Sequence, residues 1–205
     1  MRKIIFLFAF FTVPVYPIYS QMIKIENGIV ISSMGHNKLN LFEKNIYTYS
    51  IAAGIDYFEH KYVYLSSKIG YLKKGGKNEV FLVSEIIDEL TNKISIFENW
   101  NFIDVNTTCR LKYPLNNSHI YIGFGPFTDF LIGSNNTHYL ESYKANKILF
   151  GICSELGFNR YLTDKMMLGV NISHQTLLNN FVHSNNSKIK NKTFYFMFTF
   201  GYSLY

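Results

Sequence analysis

The segment that decides the fold class is the C-terminal stretch FYFMFTFGYSLY, residues 194–205. Every even position from Phe194 to Leu204 carries a large apolar or aromatic side chain, and the odd positions between them are smaller or more polar on the whole. Successive side chains of a β-strand point to opposite faces of the sheet. The segment is therefore predicted to be a strand with one apolar face.

The same period of two recurs upstream. The eight predicted strands are residues 22–34, 46–58, 61–73, 99–114, 118–131, 147–160, 165–176 and 192–205. Short turns alternate with long connections, and the long ones are residues 35–45, 74–98, 132–146 and 177–191. This alternation is typical of an up-and-down barrel in an outer membrane, with short turns and both termini in the periplasm. Strands of ~12 to 14 residues, tilted by ~45°, span roughly 30 Å, the thickness of the hydrocarbon layer.

A soluble barrel with an apolar calyx is the alternative, but its outer face would be strongly charged. Here the polar face is rich in Gly, Ser, Thr, Ala and Asn, with sparse charges of both signs, as suits a crowded eight-stranded interior. Aromatic residues of the apolar face are expected to form two girdles near the strand ends. The outer girdle is Tyr47, Tyr49, Tyr71, Phe130 and Phe194, and the inner girdle is Tyr57, Tyr113, Phe158 and Tyr202. The sequence thus predicts an all-β fold, an eight-stranded antiparallel transmembrane β-barrel in contact with outer-membrane lipid.

Residues 1–20 are predicted to be a secretory signal peptide, and residues 21–205 the barrel domain. The segment has a basic start, an apolar run from Ile4 to Val13, and Ser20 before the expected cleavage site. Charged residues make up 17% of the chain and aromatic residues 18%, which indicates an aromatic surface that does not face water. The net charge of +6 is spread along the chain without a basic run, so no nucleic-acid partner is expected.

Two resemblances extend this prediction. The aromatic last strand resembles the assembly signal of outer-membrane proteins, which implies the barrel-assembly machinery as a partner, although Leu204 rather than Tyr205 lies on the lipid face. Residues 102–133 resemble the paired central strands of the small PorT-like outer-membrane β-barrel family of Gram-negative bacteria. The matching positions are Lys112, Tyr113, Gly123, Gly125, Pro126 and Phe127. This resemblance implies the fold and an outer-membrane location, with a role in secretion or surface assembly by analogy.

No catalytic, cofactor-binding or metal-binding residues are predicted. The six histidines are scattered at positions 36, 60, 119, 138, 174 and 183, without the spacing of metal ligands. Ser118–His119 and Ser173–His174 are neighbours on strands, so their side chains point to opposite faces and form no dyad. His183–Ser184 lies in a predicted loop, where the stretch HSNNS is more simply a solvated polar loop tip. The sequence favours a non-enzymatic protein with structural or interaction roles. A lipid-modifying enzyme and a small pore are the alternatives.

The interior is expected to be closed by its own side chains. By parity it receives five acids and four bases, namely Glu26, Asp56, Asp104, Asp129, Glu155, Lys24, Lys68, Arg110 and Lys112. It also receives Tyr62, Tyr64, Phe102, Tyr121, Phe127 and Tyr195. Opposite charges in this narrow space must pair, because an isolated buried charge costs several kcal/mol.

The cysteines and the longest loop complete the expectations. Cys109 is expected to face lipid and Cys153 the interior, so both are free thiols. Within loop 74–98, residues 80–83 and 93–97 are expected to pair as a hairpin with residues 88–92 as its turn. This hairpin either packs on itself and the barrel mouth or forms a surface for a protein partner.

Overall fold

The computed structural model describes residues 21–36, 44–82, 92–136, 144–184 and 187–204. The predicted signal peptide lies outside these ranges. The strands are β1 (Met22–His36), β2 (Ile46–Tyr57), β3 (Val63–Leu82), β4 (Asn92–Leu115), β5 (Ser118–Asn136), β6 (Lys144–Ala145), β7 (Ile148–Tyr161), β8 (Met166–Leu177), β9 (Val182–Ser184) and β10 (Ser187–Ser203). Across the described ranges, no helix is long and apolar enough to cross a membrane.

Eight long strands form a closed antiparallel barrel. They pair in the order β1, β2, β3, β4, β5, β7, β8 and β10, and β10 returns to pair with β1 from Met22↔Ser203 to His36↔Ile189. Closure satisfies the backbone groups of the two terminal strands, which would otherwise be exposed edges. The short strands β6 and β9 lie outside this ring and pair with each other, and β9 also pairs with β10. The predicted eight-stranded up-and-down barrel is confirmed.

The strands meet in short turns at one end of the barrel. Residues 58–62 connect β2 to β3, where the His60 amide donates to the Val63 carbonyl over 2.8 Å. Asn116 and Asn117 alone connect β4 to β5, and Asn116 has a φ of 41°, a left-handed conformation that asparagine tolerates. Residues 162–165 connect β7 to β8. The same end holds the last residues of β10 and the first of β1, as predicted.

At the other end the strands run further than predicted. β3 and β4 pair continuously from Lys74↔Trp100 to Leu82↔Asn92, so much of the predicted loop 74–98 is strand. The predicted hairpin pairing is confirmed at Val80↔Ile94. Its turn falls almost entirely among residues 83–91, outside the described part of the chain, as do the side chains of residues 78–98. β5 and β10 also extend into the predicted loops 132–146 and 177–191.

The two faces of the barrel follow the predicted alternation. Seven of the nine expected girdle residues are exposed on the outside, namely Tyr47, Tyr49, Phe130, Phe194, Tyr113, Phe158 and Tyr202, whereas Tyr57 and Tyr71 are half-buried. Cys109 is exposed, Cys153 is buried, and both are free thiols, as predicted. The prediction that Tyr62 lies inside is wrong, because β3 begins at Val63 and the Tyr62 side chain is 53% exposed in the turn before it.

Candidate functional site

The middle of the lumen holds a network of six buried charges. Three are cations and three are acids, so the network is neutral, and they come from β1, β2, β3, β4 and β7. The members are Lys24, Lys68, Arg110, Glu26, Asp56 and Glu155. All were predicted to lie inside the barrel and to pair, and both predictions are confirmed by the ion pairs among them.

Each cation in this network bridges acids. The Lys24 ammonium lies 3.0 Å from Glu26 and 2.9 Å from Asp56. The Lys68 ammonium donates to Glu26 over 2.9 Å and to Glu155 over 3.2 Å. The Arg110 guanidinium donates to Glu155 Oε2 through Nε over 2.8 Å. Its Nη2 atom lies 2.7 Å from the same oxygen and 3.6 Å from Glu26. The network therefore joins opposite walls of the barrel, since β3 and β7 are not neighbours in the sheet.

Glycines on the inner face make room for these long side chains. A Cβ at Gly123 would lie 3.0 Å from Cγ of Arg110 and 3.2 Å from a Glu155 oxygen. A Cβ at Gly54 would lie 3.0 Å from both the Lys24 and the Lys68 side chains. This complementarity explains why the polar face alternates glycine with large residues along neighbouring strands.

A second polar centre lies around Lys74, a residue of the predicted loop 74–98. Its ammonium donates to Asp129 over 2.5 Å and to the Gln175 side-chain oxygen over 2.6 Å. Gln175 in turn donates to Asp104 over 2.9 Å and accepts from the Tyr195 hydroxyl over 2.7 Å. Asp104 and Asp129 are opposite each other in the register of β4 and β5. Lys74 thus supplies the fifth interior base that the parity argument missed.

An apolar layer closes the lumen next to Lys74, on the side of the long connections. Trp100 packs edge-to-face on Phe181 with ring centroids 4.9 Å apart, and Phe102 packs on the same ring at 5.9 Å. Other buried members of this layer are Met34, Leu72, Leu149 and Leu177. Phe181 follows β8 within a predicted loop, so no strand periodicity identified it. Leu72 and Leu149 do lie at interior parity and were identifiable from the sequence.

Aromatic rings fill the opposite end of the lumen. Tyr64 and Tyr121 lie 6.0 Å apart edge-to-face, and His119 packs 5.9 Å from Tyr64. The Arg110 guanidinium lies 4.5 Å from the centre of the Tyr121 ring, a distance suited to a cation–π contact. Lys112 pairs with Glu59 at this mouth. Polar, charged and aromatic groups therefore occupy the lumen at successive levels from one end to the other.

The serine–histidine neighbours are arranged as predicted. His119 is buried whereas Ser118 is only partly so, and Ser173 is buried whereas His174 faces outward against Phe194, with ring centroids 4.4 Å apart. The His119 Nε2 atom lies 3.1 Å from the Asn159 amide nitrogen. His119 and His174 are hydrogen-bonded to Asn159 and Thr176, not to a serine hydroxyl, whereas the side chains of His183 and Ser184 lie outside the described part of the structure. Among the described residues, no group of three potential metal ligands is present.

These features define the class of fold: a closed barrel with an apolar outer surface and a packed polar lumen, as found in outer-membrane proteins. Neisserial surface protein A has this fold, with a TM-score of 0.50 and 7% identity over 86% of this chain and 95% of that one. The outer membrane protease OmpT from Escherichia coli gives a TM-score of 0.53 and 9% identity, over 93% of this chain and 99% of that one. No family model matches the sequence, and no curated protein is significantly similar to it.

Proposed function

We propose that this chain is a non-enzymatic outer-membrane protein, related to the PorT-like barrels, that presents surface structure to a protein partner while its lumen stays closed. The observation that carries the proposal is the combination of ion pairs and packed rings across the described part of the lumen with an outer face of exposed apolar residues. A filled lumen offers no path for solutes. The surfaces available to partners are therefore the outside of the barrel wall and the connecting segments at its ends.

The part of the molecule best suited to a partner is the ribbon formed by β3 and β4, residues 78–82 and 92–96. These five residue pairs extend beyond the last pairing of β4 with β5, which is Glu98↔Asn136. At ~3.3 Å per residue, the ribbon projects roughly 17 Å past the described part of the neighbouring strands. A two-stranded ribbon of this kind is marginally stable alone, which favours contact with another surface.

Reconstitution in planar bilayers tests the closed lumen. The purified protein is expected to give no stable single-channel conductance, because side chains from opposite walls fill the space that water would need. Regular current steps that vanish when the lumen is blocked would favour the alternative of a small pore. Release of acyl chains from added lipid by the same preparation would favour the other alternative, a lipid-modifying enzyme.

The topology is tested on intact cells. An epitope tag inserted in residues 83–91 is expected to be accessible from outside, since the even strand number puts both termini in the periplasm with the short turns. A tag that is detected only after lysis would reverse the proposed orientation.

Crosslinking tests the partner. A photoreactive side chain in the ribbon is expected to capture a protein that the same group placed in turn 162–165 does not capture. Barrel-assembly components are expected at the C-terminal strand during biogenesis. Equal labelling at ribbon and turn would argue against a partner at the ribbon.

A further inference from the structure

The barrel wall has a local gap between β2 and β3. Regular pairing of these strands ends at Ile51↔Tyr71 and returns only as the isolated bridge Lys44↔Lys77. Between these points, side-chain hydroxyl groups of β2, instead of backbone amides, donate hydrogen bonds to the backbone carbonyls of β3. The Thr48 hydroxyl donates to the Lys73 carbonyl over 2.7 Å, and the Ser50 hydroxyl donates to the Tyr71 carbonyl over 2.9 Å.

The gap is sealed on the inside by β1. The Ser32 hydroxyl donates to the Gly75 carbonyl and accepts from the Gly75 amide, both over 3.0 Å, so these backbone groups are satisfied without β2. The Asn191 amide donates to the same hydroxyl over 2.8 Å, and Thr193 donates to Asn191 over 2.5 Å. Hydrogen bonds from β1 to β3 therefore bridge the gap on the inner side of the barrel.

On the outside the gap forms a groove of about 510 Å³. It is lined by Asn45, Ile46, Tyr47, Thr48, Tyr49, Tyr71, Lys73, Lys77 and Asn99. The side chain of Lys73 is partly buried there and has no hydrogen-bond or ion-pair partner within the described ranges. Among the described lining residues none is acidic. A half-buried cation in such a place favours an anionic ligand.

The position of the groove points to a lipid. It lies in the outer girdle, where tyrosines and lysines meet lipid headgroups. Lysine binds phosphate as a compact charge, while tyrosine and asparagine side chains hydrogen-bond to hydroxyl groups such as those of sugars. We propose that this groove binds the phosphorylated headgroup of an outer-leaflet glycolipid, with Lys73 contacting a phosphate. The inference rests on the proposed orientation, which puts this end of the barrel in the outer leaflet.

Native mass spectrometry of the detergent-purified full chain tests the site with added lipid A. Wild type is expected to bind one lipid A, and Lys73→Gln is expected to weaken binding about tenfold, since a charge-assisted contact is lost. Lys73→Arg is expected to retain binding. Lys165→Gln, in an exposed turn at the other end of the barrel, is the matched control and is expected to bind like wild type. Trp100 fluorescence establishes that each variant is folded.

Two further ligands identify the source of the phosphate. Lipid A with its phosphates removed is expected to bind as weakly to wild type as lipid A binds to Lys73→Gln. Inorganic phosphate at the concentration of the lipid is expected not to displace it. The inference would be overturned if wild type and Lys73→Gln bound lipid A equally well, or if wild type bound lipid A and the dephosphorylated lipid equally well. Displacement of bound lipid A by inorganic phosphate would also overturn it. Binding in detergent is independent of orientation, so a failure of the proposed topology is detected separately by the epitope tag.

Discussion

Replacement of Lys74 by methionine is the most direct test of the buried ion pairs in the lumen. The Lys74 side chain is fully buried, and its ammonium is held by Asp129 at 2.5 Å and Gln175 at 2.6 Å. It also lies 5.1 Å from the centre of the Phe127 ring. Methionine keeps most of the volume and removes the charge, so the variant separates electrostatics from packing.

The expected loss of unfolding free energy follows from the charge that stays buried in the variant. Lys74→Met leaves the Asp129 carboxylate, which is also fully buried, without its cation and opposite Asp104. Breaking a buried pair by removing one partner costs about 3 to 5 kcal/mol of unfolding free energy, because an uncompensated charge stays behind. Removing both partners is far less costly, since two apolar side chains leave no charge unpaired. The double variant Lys74→Met/Asp129→Leu is therefore expected to recover most of the loss.

Urea unfolding in detergent micelles, followed by tryptophan fluorescence, measures these changes. Trp100 is the single tryptophan of the chain, is 3% exposed and is paired with Lys74 in the register of β3 and β4. Lys165→Met, in the exposed turn between β7 and β8, is the control and is expected to unfold like wild type. Wild-type stability of Lys74→Met, or a double variant no more stable than Lys74→Met, would refute the buried pair.

Two further predictions concern packing and accessibility. Gly157→Ala is expected to cost about 1 to 3 kcal/mol in the same unfolding assay, because overpacking forces the core apart, and the new Cβ would lie 2.3 Å from Cζ of Tyr121. Gly133→Ala, whose Cβ would have its nearest neighbour at 3.6 Å, is the control, and equal effects of the two changes would contradict the argument. In folded protein a membrane-soluble maleimide is expected to label Cys109 and to spare Cys153 until unfolding, because the former is exposed and the latter buried. Equal labelling of both thiols in the folded state would contradict the assigned faces.

The barrel was predictable because the sequence pattern that specifies it is local and recurs in every strand. Each strand needs one apolar face for lipid and one small or polar face for the lumen. Apolar residues therefore recur at every second position of each strand. The girdle residues and the six charges of the central network follow from parity once the strands are assigned. Parity fails where a strand boundary is misjudged by a residue or two, as at Tyr62, since the turn begins before the alternation ends.

The half of the lumen next to the long connections was harder to predict because its contacting residues are distant in sequence. The polar run Lys73–Lys77 has the composition of a loop, and only contacts with Asp129 and Gln175 hold Lys74 inside. Phe181 lies in a connecting segment, where no periodicity applies, and it becomes part of the core by packing on Trp100. The gap between β2 and β3 likewise depends on Ser32 reaching Gly75, which no local pattern reports.

The lumen charges also determine how the strands align. Backbone ladders connect each strand only to its neighbours and are nearly indifferent to a shift in register, whereas a shift by one residue moves every side chain to the opposite face. A slip of β3 would turn Lys68 toward lipid, at about 2 to 4 kcal/mol near the bilayer midplane, and would turn Lys74 toward lipid near the interface, at a smaller cost. It would also leave Glu155 and Asp129 short of partners inside the barrel. Because Lys68 reaches Glu155 across the lumen, one slipped strand disturbs walls that share no backbone hydrogen bond with it, so the network favours a single register for the whole sheet.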